Sequence, residues 1–415
     1  MFIKRESYLK NIRPFYDTPV VKVLTGMRRC GKSVMLQLIK DDLIGRRVSA
    51  EHMLSFNFES FKEPFLQDVH LTYNEIETFT KEKKGRVYFF FDEIQELTGW
   101  ERLVNSCLID FNCDIYITGS NASLLSGELA TYLAGRYIEF SIYPFSFAEI
   151  VLYLEKSKKP INRDKAFLDY LTYGGLPFLL QFDLKGKEAI TYLEDIFNSI
   201  IVRDIATRAQ VRDIELLKRL IVYLMANIGR NFSSKNIINY LKSEKRSLSN
   251  ETIYNYIEYC KRANLLHLVP RYNIQGKELL KFNEKIFLTD HGLREAIYGN
   301  NQRDIELILE NIVFLELKRN GYAVCIGKTR DKEVDFIATK PHTTLYIQVT
   351  YLLASEETIE REFSALESID DNYPKYVLSM DTVLRNRGGI IHRNIKDFLL
   401  TEAFTASPAA NPSGI

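Results

Sequence analysis

Along this chain, compact apolar runs alternate with segments whose apolar residues recur at helical spacing. PVVKVLT at 19–25, VYFFFD at 87–92 and CDIYITG at 113–119 are nearly all apolar, the pattern of strands buried on both faces. SVMLQLIKDDL at 33–43 has the spacing of a helix. The alternation predicts an α/β fold over residues 1–150, a parallel sheet covered by helices with its ligand at the C-terminal strand ends. Residues 151–211 are mostly helical and are broken by YGGLP at 173–177, because two glycines and a proline cannot continue a helix interior. They predict a helical lid or linker. Residues 212–295 follow the order of a winged helix: helical patterns at 213–230, 233–244 and 249–266, then short strands at 266–273, 276–283 and 285–290. Residues 296–400 open with a helix over 304–322 and continue with strands at 323–328, 333–339 and 344–351. The end, 401–415, is small and proline-containing and predicts a disordered tail.

Chemistry enters between the first strand and helix. Gly26, Met27, Arg28, Arg29, Cys30, Gly31, Lys32 and Ser33, followed by Val34, fit G-x-x-x-x-G-K-[S/T] at every fixed position. The glycines let backbone N–H groups converge on phosphate oxygens, and the helix N-terminus adds partial positive charge. Lys32 is placed to reach the β- and γ-phosphates and Ser33 to ligate Mg²⁺. The strand VYFFFD ends in Asp92 and is followed by Glu93. Asp92 completes the Mg²⁺ shell, and Glu93 orients and deprotonates an attacking water. After the next strand, Asn121 stands where a polar side chain meets the γ-phosphate or that water, with Ser120 as its rival. Arg136 is a candidate for stabilising transition-state charge, in its own subunit or a neighbour's, and equally an ordinary surface arginine.

GMRRCGKS, FFFDEIQEL, ITGSNASLLSGELATYLAGRY and YPFSFAEI, in this order, closely resemble the AAA-type ATPases widespread in archaea and bacteria. YLTYGGLPFLL and YLEDIFNSIIVRDI resemble the C-terminal region that accompanies that ATPase, so the resemblance covers nearly the whole chain. It implies a P-loop AAA-like core, a winged helix and a restriction-endonuclease-like C-terminal fold. A nuclease of that type needs a helix glutamate, a strand aspartate and E-x-K on the next strand to hold Mg²⁺ and activate water. The resemblance supplies Glu310 and Asp335, with Glu316 a rival to Glu310. Gln348 and Thr350 stand in place of the metal carboxylate and the lysine, which predicts a degenerate site that does not cleave, unless a lysine such as Lys328 or Lys332 moves into it.

The winged helix carries the nucleic-acid question. Asn250, Thr252, Tyr254 and Asn255 open the candidate recognition helix, where side chains meet base edges of double-stranded DNA. Lys242, Lys245, Arg246, Lys261 and Arg262 are candidates for phosphate contact. The alternative is that this region packs against the ATPase or a partner protein, making the chain a nucleotide-gated scaffold. A net charge of only +1 means that any DNA contact comes from a local patch. Apolar and charged fractions of 46% and 26% are those of an ordinary globular protein. With no apolar run approaching 18 residues and no signal-peptide core, the expectation is a cytoplasmic protein without membrane contact. Five scattered cysteines lack a C-x-x-C pair and read as reduced. The expected ligands are ATP and Mg²⁺, and the expected further partner is DNA, another subunit or a partner protein.

Overall fold

The computed structural model describes residues 2–120, 133, 135–157, 161–182, 184, 187–243, 248–329 and 332–401. Five parallel strands form the first sheet: β1 (Val21–Thr25), β2 (Met53–Asn57), β3 (Val87–Asp92), β4 (Cys113–Gly119) and β5 (Tyr137–Ser141), in the order β2-β3-β4-β1-β5. Every residue of β1, β3 and β4 is buried, as their unbroken apolar runs require. Lys22 on β1 and Asp114 on β4 form a fully buried ion pair, and Tyr116 donates to Asp114 (2.8 Å). Because β1 and β3 both run parallel to β4 between them, the loop after β1 and the acids at the end of β3 emerge on the same edge of the sheet.

Helices cap as their sequences dictate. Asp68 accepts from the N–H groups of His70 and Leu71 to start Val69–Lys81, and Ser146 with Glu149 forms a capping box at Phe147–Lys156. The helical segment continues through Arg163–Tyr173 and Glu188–Ser199 into a π-helix, Ile200–Thr207.

A second sheet contains seven strands: β6 (Leu266–Asn273), β7 (Glu278–Leu288), β8 (Ala323–Thr329), β9 (Lys332–Lys340), β10 (Thr343–Val349), β11 (Lys375–Ser379) and β12 (Ile391–Asn394), ordered β12-β11-β10-β9-β8-β6-β7. The antiparallel β6–β7 hairpin occupies the position expected for a wing, yet β6 pairs in parallel with β8, so the hairpin forms one edge of this sheet. The helix Ile305–Arg319 packs on it, with Phe314 stacked on Phe287.

The three regions share one apolar core, which includes Met27 of the phosphate loop, Leu193 and Ile205 of the helical segment, and Phe287 and Phe398 of the second α/β region. YGGLP lies where they cross. Gly174 and Gly175 pass against Asp290, whose carboxylate accepts from the N–H groups of Gly175 and Gly292 (both 2.8 Å). A Cβ on Gly175 would lie 2.2 Å from the Phe145 carbonyl oxygen. Burial pushes Asp290 up to about 6.

Candidate nucleotide site

The loop after β1 is shaped by glycine. Gly26 has φ 148°, and a Cβ there would lie 2.2 Å from the Ile142 carbonyl oxygen. Gly31, at φ 103°, turns the chain into the helix Lys32–Gly45. Lys32 is only 4% exposed and folds back over its own loop, donating to the carbonyls of Gly26 (3.1 Å) and Met27 (3.3 Å). Its ammonium also pairs with Glu93 at 3.4 Å. The Cys30 thiol is buried, and burial pushes its pKa up more than Lys32 and Arg5 draw it down. It therefore stays a thiol at neutral pH.

The two acids are held by β4. The Thr118 hydroxyl donates to Asp92 Oδ1 (2.6 Å) and accepts from the Glu93 N–H (2.9 Å). Asn57 Nδ2 lies 3.4 Å from the other Asp92 oxygen. Glu93 takes a left-handed backbone, φ 49° and ψ 48°, a conformation unfavourable for a non-glycine residue that turns the chain sharply after Asp92. Its Oε2 accepts from the Ser120 N–H (3.2 Å) and from Gln95 (2.6 Å). Burial raises the Glu93 pKa, but Lys32, Gln95 and Arg28 outweigh it, so the group sits below its ordinary value and is ionised.

Gly31, Lys32, Asn57, Asp92 and Glu93 line one cavity of about 410 Å³. Arg28 and Ser33 also lie on its wall, and Phe145, Tyr153, Phe178 and Tyr192 supply aromatic surface. Ser33 and Asp92 offer hard oxygen donors to the same space, with the Asn57 amide also on the wall, a set that fits Mg²⁺. The helical segment reaches this site. Asp204, on the π-helix, pairs with Arg28 (3.3 Å) and accepts from the Ser120 hydroxyl (3.3 Å).

Residues 18–151 match the family model described as an AAA domain, and residues 164–304 match a domain of unknown function, DUF8612. A protein of Haemophilus influenzae is 42% identical over 377 residues, covering 91% of this chain and 93% of its own length. One from Methanocaldococcus jannaschii is 31% identical, covering 84% of this chain and 78% of its own. Both are described as uncharacterized. Among solved structures, the Walker-type ATPase PABY2304 of Pyrococcus abyssi is similar at 15% identity and a TM-score of 0.48, over 72% of this chain and 96% of that one. The chain belongs to the AAA-type P-loop ATPase family.

In this AAA protein the remaining candidates are dispersed. Asn121 lies outside the described residues, as do Lys245 and Arg246. Ser120 is buried beside Glu93. Arg136 precedes β5, whose first residue pairs with Val21 at the start of β1, so the length of β1 separates it from the phosphate loop, roughly 16 Å at about 3.3 Å per residue. The exposed Arg136 donates to Asn105 (2.9 Å), and its own chain does not bring it to Lys32.

On the helix Asn250–Arg262, Asn250, Tyr254 and Asn255 are exposed, as is Lys242 on the preceding helix. Thr252 is engaged in the Ser249 cap (Ser249 Oγ to Thr252 N 3.1 Å), and Tyr254 packs edge-on against Phe232. Lys261 and Arg262 both pair with Glu258.

In the second α/β region the lysine beside Glu310 and Asp335 is neither Lys328 nor Lys332 but Lys285, on β7. Lys328 and Lys332 are exposed, and Lys332 donates to Ser364, whereas the β7 edge carries Lys285 into the interior. Lys285 lies 3.3 Å from Glu310, 2.7 Å from Glu333 and 3.9 Å from Asp335. Glu316 faces the other way, pairing with Arg319, which donates to the Pro144 carbonyl (3.2 Å). Gln348 accepts from the Asp335 N–H (3.1 Å), and the buried Thr350 hydroxyl finds no partner among the described residues. Burial, and next the charge of Asp335, push Glu310 well above the usual carboxylate range. Among the described residues no three His, Cys, Asp or Glu side chains gather so as to hold a metal ion, and no helix is long and apolar enough to cross a membrane.

Thr118, Asn57, Asp204 and Lys285 were not foreseen. A threonine two residues before a candidate polar position was the one available signal, in ITGS. Asp204 and Lys285 come from distant segments, and only the tertiary fold brings them in.

Proposed function

We propose that this chain binds and hydrolyses Mg-ATP and uses the cycle as a switch or motor on duplex DNA. The observation that supports it is the meeting of Lys32, Ser33, Asp92 and Glu93 in one cavity that also has aromatic walls. Lys32 donates to the loop carbonyls of Gly26 and Met27 and pairs with Glu93. Phosphates offer it a better partner, and its departure frees Glu93 to orient and deprotonate water. Ser33 and Asp92 are the residues to hold Mg²⁺, which when bound neutralises phosphate charge. Any transition-state role for Arg136 belongs to a neighbouring subunit, because its own strand holds it at the far end of the sheet.

The DNA reading rests on the exposed Asn250, Tyr254, Asn255 and Lys242. The pairing of Lys261 and Arg262 with Glu258 favours the second reading, a nucleotide-gated scaffold for a partner protein or another subunit. Duplex binding titrated against salt separates them. Phosphate contacts predict an affinity falling steeply between about 50 and 200 mM salt. An absence of binding at low salt, with or without a nonhydrolysable ATP analogue, contradicts DNA action and supports the scaffold.

A further inference from the structure

Arg28 belongs to the phosphate loop, yet its side chain is tied to a distant part of the chain. Its Nε lies 3.3 Å from Asp204 Oδ2 and its Nη2 lies 3.5 Å from Glu59 Oε1, at the cavity that also holds Lys32 and Glu93. Asp204 is 2% exposed and projects from the π-helix Ile200–Thr207, a geometry that recurs at functional sites. Its other oxygen accepts from the Ser120 hydroxyl, and the Ser120 N–H donates to Glu93. A carboxylate buried this deeply needs charged or hydrogen-bonding partners, and both of these partners are parts of the nucleotide site.

The two partners of Arg28 are unequal. Asp204 is buried, whereas the Glu59 side chain is 42% exposed and so a weak, replaceable partner. Of the other two arginines on this wall, the buried Arg5 is already bidentate on Glu149 at 2.6 and 2.9 Å, and Arg29 is exposed. Arg28 can thus keep Asp204 at Nε and turn its terminal nitrogens from Glu59 to a phosphate, using the planar fork that suits arginine to oxyanions.

We propose that the Arg28 guanidinium contacts the γ-phosphate of ATP from within its own chain, and that Asp204 is the positioning residue that holds it there. This rests on the Mg-ATP reading above. In hydrolysis the water oxygen bonds to the γ-phosphorus, the bridging bond breaks with its electron pair leaving on ADP, and the water proton passes to Glu93. Arg28 stabilises the charge on the γ-phosphoryl oxygens during that transfer.

The test measures affinity for a nonhydrolysable ATP analogue and for ADP, both with Mg²⁺, together with kcat, in the full chain. Arg28→Ala is expected to lower the analogue-to-ADP affinity ratio by about tenfold and kcat by about 100-fold. Asp204→Asn is expected to lower kcat by about tenfold, and the double variant to be no slower than Arg28→Ala alone, because Asp204 acts through Arg28. Asp204→Glu, which keeps the charge but moves it, serves if Asp204→Asn does not fold, with the loss again in kcat and not in ADP affinity. An unchanged affinity ratio and kcat in Arg28→Ala overturn the contact. A double variant slowed by the full product of the single effects overturns the positioning role. Lys32→Ala tests the underlying reading separately: loss of both nucleotides supports it whatever Arg28 does, and a wild-type chain that binds neither nucleotide overturns both proposals.

Discussion

Thr118 shows how little sequence signal a consequential side chain can leave. Its hydroxyl orients Asp92 and fixes the N–H of Glu93, whose backbone is already held in a left-handed turn. Thr118→Val keeps the shape and removes both bonds. It should cost about 1–3 kcal/mol in urea unfolding, because a buried N–H loses its acceptor. It should also lower kcat by about tenfold or more through misplacement of the two acids. Unchanged turnover would show that Asp92 and Glu93 hold their places without it. Lys32, Ser33, Asp92 and Glu93 were legible because each stands at a fixed distance from a strand end, where local pattern and chemistry coincide. Asp204 was not, because the contact between residues 28 and 204 depends on the shared core.

At the scale of elements, the buried strands of the first sheet were legible from their unbroken apolar runs, and β1, β3 and β4 are buried throughout. The partnership of the β6–β7 hairpin was not. Its sequence marks strands and a turn, but β8, some fifty residues on, supplies the partner that draws it into the second sheet. YGGLP read as a break in a helix, and its spatial reason is the crossing of three segments. Gly175→Ala should destabilise the chain by about 1–3 kcal/mol or more in urea unfolding, since its Cβ would meet the Phe145 carbonyl at 2.2 Å. Gly45→Ala, with nothing within 4 Å of the new Cβ, is the control and should be neutral or stabilising by up to about 1 kcal/mol. Equal effects at the two glycines would contradict the tight crossing.

At the scale of the whole molecule, one core joins the nucleotide site to the second α/β region, so events at the phosphate loop have a packed route to the rest of the chain. That region's acids have partners within the chain: Lys285 pairs with Glu310 and Glu333, and the Val349 N–H donates to the Asp335 carboxylate (2.8 Å). Incubation with linear, supercoiled and single-stranded DNA in Mg²⁺ or Mn²⁺ should therefore leave the DNA intact. Cleavage by the wild type that disappears in Asp335→Ala would overturn this. The central claim, that the cavity between the phosphate loop and β3 hydrolyses ATP, is tested most directly by following bound nucleotide in the Glu93→Gln chain beside wild type and Lys32→Ala. The expected result is ATP turned over by wild type, retained unhydrolysed by Glu93→Gln, and not bound by Lys32→Ala; normal steady-state turnover in both variants would contradict the account.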